Sequence, residues 1–202
     1  MDTEILRLAN LTADLLIESN QTIGIAESSS GGLISAYLLA IPGASKYFMG
    51  GSVIYTRVAQ LNLLGVNDEQ MEGLRASTEE YASLNARTIR ELLGTTWGLS
   101  ETGATGPTGN RYGDSAGHSC IGVSGPLSRT KTLETGIEQR EENMVSFTKL
   151  SLTGRTSEIA YVVRISEGDE ITFETRRDGY KAAMSAQWKI LTNGYIYAWE
   201  VL

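Results

Sequence analysis

A run of three serines and two glycines, residues 28–32, is the part of the sequence best suited to chemistry. It follows Glu27 and the short apolar run 22–26, which is typical of a buried strand. The next residues, 33–40, predict a helix that is apolar on nearly all sides. Hydroxyls cap the first N–H groups of a helix, and glycines let a ligand approach the backbone. The pattern predicts a seat for a phosphate or a developing oxyanion, although an ordinary capped helix start has the same residues.

A second candidate is the glycine-rich loop at 103–117, which follows a predicted strand at 95–102. Its Gly-x-x-Gly-Pro segment, residues 103–107, can present backbone N–H groups to an anion. The loop lacks the Lys-Ser/Thr pair of a nucleotide P-loop, which excludes that class of site. Loops longer than about 12 residues within a compact domain are usually functional or disordered, so this loop is expected to border a site.

The elements that position these turns alternate between helices and strands. Helices are predicted at 3–19, 33–40, 57–64, 77–93 and 141–152, and strands at 22–26, 52–55, 95–102, 119–124 and 130–135. This alternation indicates an α/β fold, in which a mainly parallel mixed sheet lies between two helical layers as a three-layer α/β/α sandwich.

The composition of the 202-residue chain fits one domain, or one domain with an appendage. Its formal net charge of −7 argues against nucleic acid or an anionic membrane as the main partner. No apolar stretch reaches about 18 residues, and the N-terminus lacks a signal-peptide pattern. The single cysteine, Cys120, predicts a reducing compartment and hence a cytoplasmic protein. No His, Cys, Asp and Glu group has metal-ligand spacing.

Three segments together resemble the CinA C-terminal domain family. They are Ala-Glu-Ser-Ser-Ser-Gly-Gly at 26–32, Pro-Gly-Ala-Ser-x-Tyr-Phe-x-Gly-Gly at 42–51 leading into Tyr55, and Thr-Gly-Ala-Thr-Gly-Pro at 102–107. The resemblance covers residues 1 to about 150, and several motifs in order are more specific than any one alone. It implies hydrolysis of the carboxamide of nicotinamide mononucleotide to the nicotinic acid form plus ammonia, without a cofactor.

The resemblance also implies roles for individual residues. Ser28 matches the serine nucleophile, and N–H groups at the helix start would hold the oxyanion. Tyr55 matches an active-site tyrosine that suits a proton relay, and Thr102 matches a residue bordering the substrate. Glu27 is suited to orient the turn, and the guanidinium fork of Arg140 suits a phosphate. The positions implied in substrate binding are Glu27, Ser29, Ser30, Gly31, Gly103 and Arg140.

Two departures from the family pattern affect these roles. The family lysine, expected to take the proton from serine, is Gln60 here, and an amide has no usable basicity. A positioned general base is worth about 10²–10⁴ in rate, so turnover is expected to be impaired. The second arginine of the last family motif is Met144, which weakens the expected phosphate site.

Two other residues remain candidates for the missing base. His118 has a suitable unperturbed pKa, and Asp114 could orient it in a Ser28/His118/Asp114 arrangement. Lys46, before the second strand, is the other candidate. Arg57 keeps its charge in proteins and cannot serve as a base.

The last part of the chain matches no family pattern. We therefore divide the chain into a CinA-like domain at 1–152 and an extension at 153–202, with the last domain helix ending at Thr153-Gly154. The extension predicts a hairpin at 158–165 and 170–175, a helix at 178–191 and a strand at 195–201. It can cover the sheet, extend as a poorly packed tail, or be unrelated coding sequence joined to the domain.

Three functions stay open on the sequence alone. The first is a nicotinamide-nucleotide amidase with Ser28 as its nucleophile. The second is a catalytically weak homologue that binds a pyridine nucleotide as a sensor or regulator, and the third is an interaction module with a vestigial pocket. The expected small-molecule partner is a pyridine nucleotide, and the family's compact domains imply self-association.

Overall fold

The computed structural model describes residues 1–162, with side chains up to residue 153, and two short strands further on. The helices of this part are α1 Thr3–Glu18, α2 Leu33–Leu39, α3 Arg57–Ala59, α4 Glu79–Leu93 and α5 Arg140–Val162. A 3₁₀ turn spans Ala44–Lys46, and a π-helical turn, Gln60–Leu64, continues α3. The strands are β1 Ile23–Glu27, β2 Phe48–Val53, β3 Trp97–Ala104, β4 His118–Ser124, β5 Arg129–Glu134, β6 Trp188–Ile190 and β7 Ile196–Ala198.

The first five strands form a single mixed sheet in the order β2-β1-β3-β4-β5. β1 pairs in parallel with β2 and β3, whereas β4 is antiparallel to both β3 and β5. Four strands therefore share one direction and β4 alone runs the other way. The predicted mainly parallel mixed sheet is confirmed.

Helices cover both faces of this sheet. On one face α1, α2 and α5 contact one another over a core that includes Ile25, Trp97 and Leu99. On the other face α4 packs on β1, β3 and β4, with Leu84 and Ile89 in a second core. This arrangement confirms the three-layer α/β/α sandwich. None of the described helices is long and apolar enough to cross a bilayer.

The parallel direction of β1, β2 and β3 brings their carboxyl ends to one edge of the sheet. The serine turn at 28–32, the segment at 54–57 and the loop at 105–117 all leave from this edge. In open α/β sheets, ligands bind outside the carboxyl ends of the strands, so this edge is where a site is expected.

The second strand begins earlier than the predicted 52–55, because its two glycines lie inside the strand instead of interrupting it. A Cβ added to Gly50 would lie 3.2 Å from Leu93 Cδ1, so Gly50 lets α4 pack close to the strand. The glycines thus reflect close packing on the sheet and not a turn.

The start of α4 also differs from the predicted start of this helix at residue 77. The N-cap is Thr78, whose side chain accepts from the Tyr81 N–H at 3.3 Å. Ser77 lies just outside the helix with φ of 60°. Its N–H donates to Thr102 Oγ1 and its carbonyl contacts His118, and these contacts hold it in the left-handed region.

The end of α5 contradicts the prediction that Thr153-Gly154 ends this helix, since the helix continues to Val162. The proposed strand at 158–165 is therefore wrong where α5 occupies it. β6 lies within the predicted helix at 178–191, whereas β7 lies within the predicted strand at 195–201. The strand at 170–175 lies outside the described residues, and the division into 1–152 and 153–202 stays a prediction.

Candidate active site

Ser28 is the first residue after β1, and its side chain is half-buried. Its N–H donates to Glu101 Oε2 at 3.2 Å, whereas its Oγ makes no hydrogen bond with any described residue. A serine hydroxyl without a protein partner at this edge of the sheet is free to meet a ligand.

Glu27 is fully buried, and its carboxylate fills the start of α2. It accepts from the N–H groups of Ile34 and Ser35, both at 3.0 Å, and from the Ser35 and Ser30 hydroxyls at 2.6 and 2.9 Å. The helix N–H groups that the sequence assigned to an oxyanion are thus occupied by the protein's own carboxylate. Glu27 orients the turn and holds α2 in place.

Glu101 on β3 was missed by the sequence analysis. Its Oε2 accepts from the N–H groups of Ser28 and Ser30 at 3.2 and 2.8 Å, and lies 2.8 Å from Ser30 Oγ. Its Oε1 bonds the Ser29 hydroxyl and accepts from Ser119 Oγ at 3.2 Å. Burial raises the pKa of this carboxyl, against the opposing effect of its hydrogen bonds. Ser29 and Ser30, expected at the substrate, are buried and bonded to this acid.

Tyr55 and Arg140, which are far apart in sequence, meet beside the loop after β3. Arg140 donates from Nη2 to the Tyr55 hydroxyl at 3.2 Å and from Nη1 to the Gly106 carbonyl at 3.0 Å. Both side chains are exposed. One helical turn beyond Arg140, Met144 lies against the serine turn, since a Cβ on Gly31 would be 2.8 Å from Met144 Cε.

Thr102 and Gly103 contact β4 and the start of α4. Thr102 is buried, and its Oγ1 accepts from the Ser77 N–H at 3.3 Å. Successive strand residues point to opposite faces, so Thr102 lies on the face opposite to Glu101 and the serine turn. Gly103 is needed for strand packing, because an added Cβ would collide with the His118 carbonyl.

Gln60, at the family's lysine position, is fully buried beside α4. Its Nε2 donates to Asn85 Oδ1 at 2.7 Å, and its Oε1 accepts from Arg57 Nη1 at 3.2 Å. Met71 Sδ lies 3.6 Å from the same nitrogen. The side chain of Gln60 is therefore part of a polar cluster under α4 and makes no hydrogen bond to Ser28.

The Ser28/His118/Asp114 arrangement is wrong. His118 Nδ1 lies 2.5 Å from Glu134 Oε1, and Nε2 lies 2.9 Å from the Ser77 carbonyl. Burial lowers the pKa of His118, but these two acceptors outweigh it and raise the pKa overall. Asp114 instead pairs with Arg75 at 2.6 Å.

Lys46 is not placed to be the base either. Its 3₁₀ turn comes before β2, so it lies at the amino end of the strand and away from the edge that carries Ser28. Within the described part of the chain, no three His, Cys, Asp or Glu side chains are grouped to hold a metal ion.

A family model described as the CinA C-terminal domain matches residues 5–157. The chain belongs to this family. The matched range contains the serine turn, the Tyr55–Arg140 pair and the loop after β3, so every residue of the candidate site lies within the CinA domain.

Bacterial relatives support the assignment. A CinA-like protein of Nostoc sp. is 41% identical over 119 residues, which are 59% of this chain and 28% of that protein. A CinA-like protein of Desulforapulum autotrophicum is 35% identical over 139 residues, 68% of this chain and 33% of that protein. The chain thus spans about a third or less of the length of these CinA-like relatives.

Solved structures share the fold. A CinA superfamily protein from Klebsiella pneumoniae superposes with a TM-score of 0.73 at 22% identity, over 77% of this chain and 98% of that one. The competence/damage inducible protein CihA from Agrobacterium tumefaciens gives a TM-score of 0.72 at 23% identity, over 78% and 96%. At these identities the likeness establishes the CinA fold alone.

Proposed function

We propose that this CinA domain is a nicotinamide-nucleotide amidase of low turnover, with Ser28 as its nucleophile. The observation that carries the proposal is the half-buried Ser28 hydroxyl, which has no hydrogen-bond partner among the described residues and lies at the carboxyl end of β1. The backbone after β1 is held in place, because Glu101 accepts the N–H groups of Ser28 and Ser30 and Glu27 accepts those at the start of α2.

Substrate binding is assigned to the Tyr55–Arg140 pair and the loop around Gly106. Arg140 has five N–H donors and places two of them on Gly106 and Tyr55, so donors remain for a phosphate. Met144 stands where the family has a second arginine, so one guanidinium serves the phosphate. We expect weaker phosphate binding than two arginines would provide.

In the proposed reaction, Ser28 Oγ attacks the carboxamide carbon, and the C–N bond breaks as the amide nitrogen leaves as ammonia. Water then hydrolyses the acyl-enzyme and releases the nicotinic acid form. The N–H groups of Ser29 and Gly32 have no acceptor among the described residues, which makes them the candidate oxyanion donors. The Tyr55 hydroxyl is the candidate relay for the serine proton.

Low turnover is part of the proposal because no basic side chain is hydrogen-bonded to Ser28 within residues 1–153. A general base contributes about 10²–10⁴ in rate. Without one, the oxyanion donors and binding would leave roughly 10³–10⁴ over the reaction in water.

The lack of a base bonded to Ser28 among residues 1–153 also favours a second candidate function, in which the domain binds a pyridine nucleotide without turning it over. Gln60 is bonded to Asn85 and Arg57 under α4, so its amide neither supplies a base nor faces Ser28. A sensor of this kind would use Tyr55 and Arg140 for recognition and leave Ser28 unmodified.

The deciding experiment is ammonia release from nicotinamide mononucleotide, with the nicotinic acid product identified by mass spectrometry. We expect slow release that Ser28→Ala abolishes, while Ser128→Ala, on an exposed turn, leaves it unchanged. Calorimetric binding to the Ser28→Ala variant separates the two candidates. Binding without any release supports the sensor, and absence of both refutes both functions in favour of a vestigial pocket.

A further inference from the structure

Two buried carboxyl groups lie side by side beneath the serine turn. Glu27 and Glu101 are direct register partners on the parallel strands β1 and β3, and neither has any exposed surface. Neither forms an ion pair with a Lys, Arg or His among residues 1–153. The same Ser30 hydroxyl contacts both carboxyls. Two uncompensated buried negative charges this close together are strongly unfavourable, so one carboxyl is expected to carry a proton.

The contacts of Glu27 identify it as the ionised member. Each of its oxygens accepts from a backbone N–H, Oε1 from Ser35 and Oε2 from Ile34. Each also accepts from a hydroxyl. A backbone N–H can only donate, so a proton on either oxygen would face a donor. The first turn of α2 favours the negative charge as well.

The contacts of Glu101 differ between its two oxygens. Its Oε2 accepts both backbone N–H groups, from Ser28 and Ser30, whereas its Oε1 meets only the hydroxyls of Ser29 and Ser119. A hydroxyl can accept as well as donate. Glu101 can therefore hold a proton without facing an obligatory donor at Oε1, which Glu27 cannot do.

Ser30 bridges the two carboxyls. Its hydroxyl lies 2.9 Å from Glu27 Oε2 and 2.8 Å from Glu101 Oε2, yet it has a single hydrogen. This hydroxyl therefore donates to one carboxyl oxygen at a time. This bridge holds the two acids close together, which adds to the free-energy cost of ionising both.

We propose that Glu101 is protonated at neutral pH beside an ionised Glu27, and that this neutral acid is a positioning residue that fixes the turn carrying Ser28. Glu27 is the titratable group that contacts this hydrogen-bond network from β1, while the turn and β4 present serines to Glu101. The raised pKa of Glu101 agrees with this assignment. The role toward Ser28 rests on the proposed amidase function, whereas the protonation does not.

Infrared spectroscopy in deuterated water at neutral pH tests the protonation, because a protonated carboxylic acid has a carbonyl band separate from carboxylate bands. We expect this band in the wild type, its loss in Glu101→Gln and its retention in Glu79→Gln. Glu79 is a matched control, since it accepts two threonine hydroxyls at 2.6 Å and they lower its pKa. A wild type without the band, or a band that survives Glu101→Gln, overturns the proposal.

Calorimetry on the wild type keeps the test valid if Glu101→Gln does not fold. At about pH 5.5 a carboxyl in the unfolded chain is ionised, whereas histidine is protonated in both states. Unfolding should then release about one proton, measured from the enthalpy in buffers of different ionisation heat. Unfolding without proton release overturns the proposal.

The positioning role has its own readout. Gln can mimic the neutral acid, with its oxygen toward the two N–H groups and its NH₂ toward the two hydroxyls, so Glu101→Gln should keep kcat for ammonia release. Glu101→Leu removes these bonds and should lower kcat by about 10²-fold with less effect on KM. Unchanged kcat in Glu101→Leu overturns the positioning role. If the wild type releases no ammonia, the proposed function fails, and the spectra still decide the protonation.

Discussion

Replacing Glu27 by Gln tests whether the start of α2 depends on a charged carboxylate. The two side chains have nearly the same shape, but Gln presents an NH₂ group where one carboxylate oxygen stood. Each oxygen of Glu27 faces one backbone N–H, from Ser35 or from Ile34. Whichever way the amide is turned, one of these N–H groups therefore meets another donor.

The size of the effect follows from these contacts. A buried N–H left without an acceptor costs about 1–3 kcal/mol. The hydrogen bonds to the one oxygen that Gln keeps also become weaker, because a neutral amide oxygen replaces a charged carboxylate oxygen. Together these changes predict a loss of roughly 3–5 kcal/mol in the free energy of unfolding, a large share of the 5–15 kcal/mol typical of a domain.

Urea unfolding followed by circular dichroism at neutral pH measures this loss. Glu80→Gln is the control, because Glu80 is exposed on α4 and should change stability by less than about 0.5 kcal/mol. Glu101→Gln should cost far less than Glu27→Gln, since Glu101 is assigned as the neutral acid. A loss below about 1 kcal/mol in Glu27→Gln, or the reverse order of the two variants, would refute the assignment of the charge.

Two further variants test His118, which the sequence had nominated as a base, and Gln60, which stands at the family's lysine position. The pKa of His118 is raised in the folded protein. Its contribution to the free energy of unfolding is therefore complete below the unfolded-state pKa of about 6.5 and is lost as pH rises through the folded-state pKa. His118→Asn should therefore flatten the fall in melting temperature with pH above neutrality while keeping ammonia release, and abolished release in a folded variant would restore His118 as a base. Gln60→Lys would bury an ammonium beside Arg57, so it should lower the free energy of unfolding by about 3–5 kcal/mol without raising the rate of ammonia release. Urea unfolding and the ammonia assay measure the two effects, and Ser128→Lys, at an exposed position, is the control. A faster, stable Gln60→Lys would contradict the placement of this side chain.

Local pattern was enough to predict the sheet, its mainly parallel direction and the strand–turn–helix around Ser28. It failed where packing decided the outcome, as at Gly50, which lies inside β2 although the strand was predicted to begin at residue 52. It also failed at Gly154, which was expected to end α5. One glycine costs a helix only about 1 kcal/mol, which is too little to end it without a competing structure.

The partners of the site residues could not be predicted in the same way, because they lie on strands that are adjacent in space and distant along the chain. Glu101 reaches the serine turn because β3 lies beside β1, with the register that pairs Glu101 with Glu27. Arg140 meets Tyr55 because α5 begins at the edge where β2 ends. Nothing in the spacing of these residues indicates either contact.

The sequence by itself determined which residues could do chemistry at the carboxyl end of β1, since residue type and local periodicity suffice for that. Only the tertiary structure decided how each is used. It set Glu27 against the helix N–H groups, buried Gln60 with Asn85, and left the Ser28 hydroxyl without a partner among the described residues. The physical reason is that charge state and hydrogen bonding depend on burial and on groups brought together by long-range strand pairing, neither of which is encoded in local spacing.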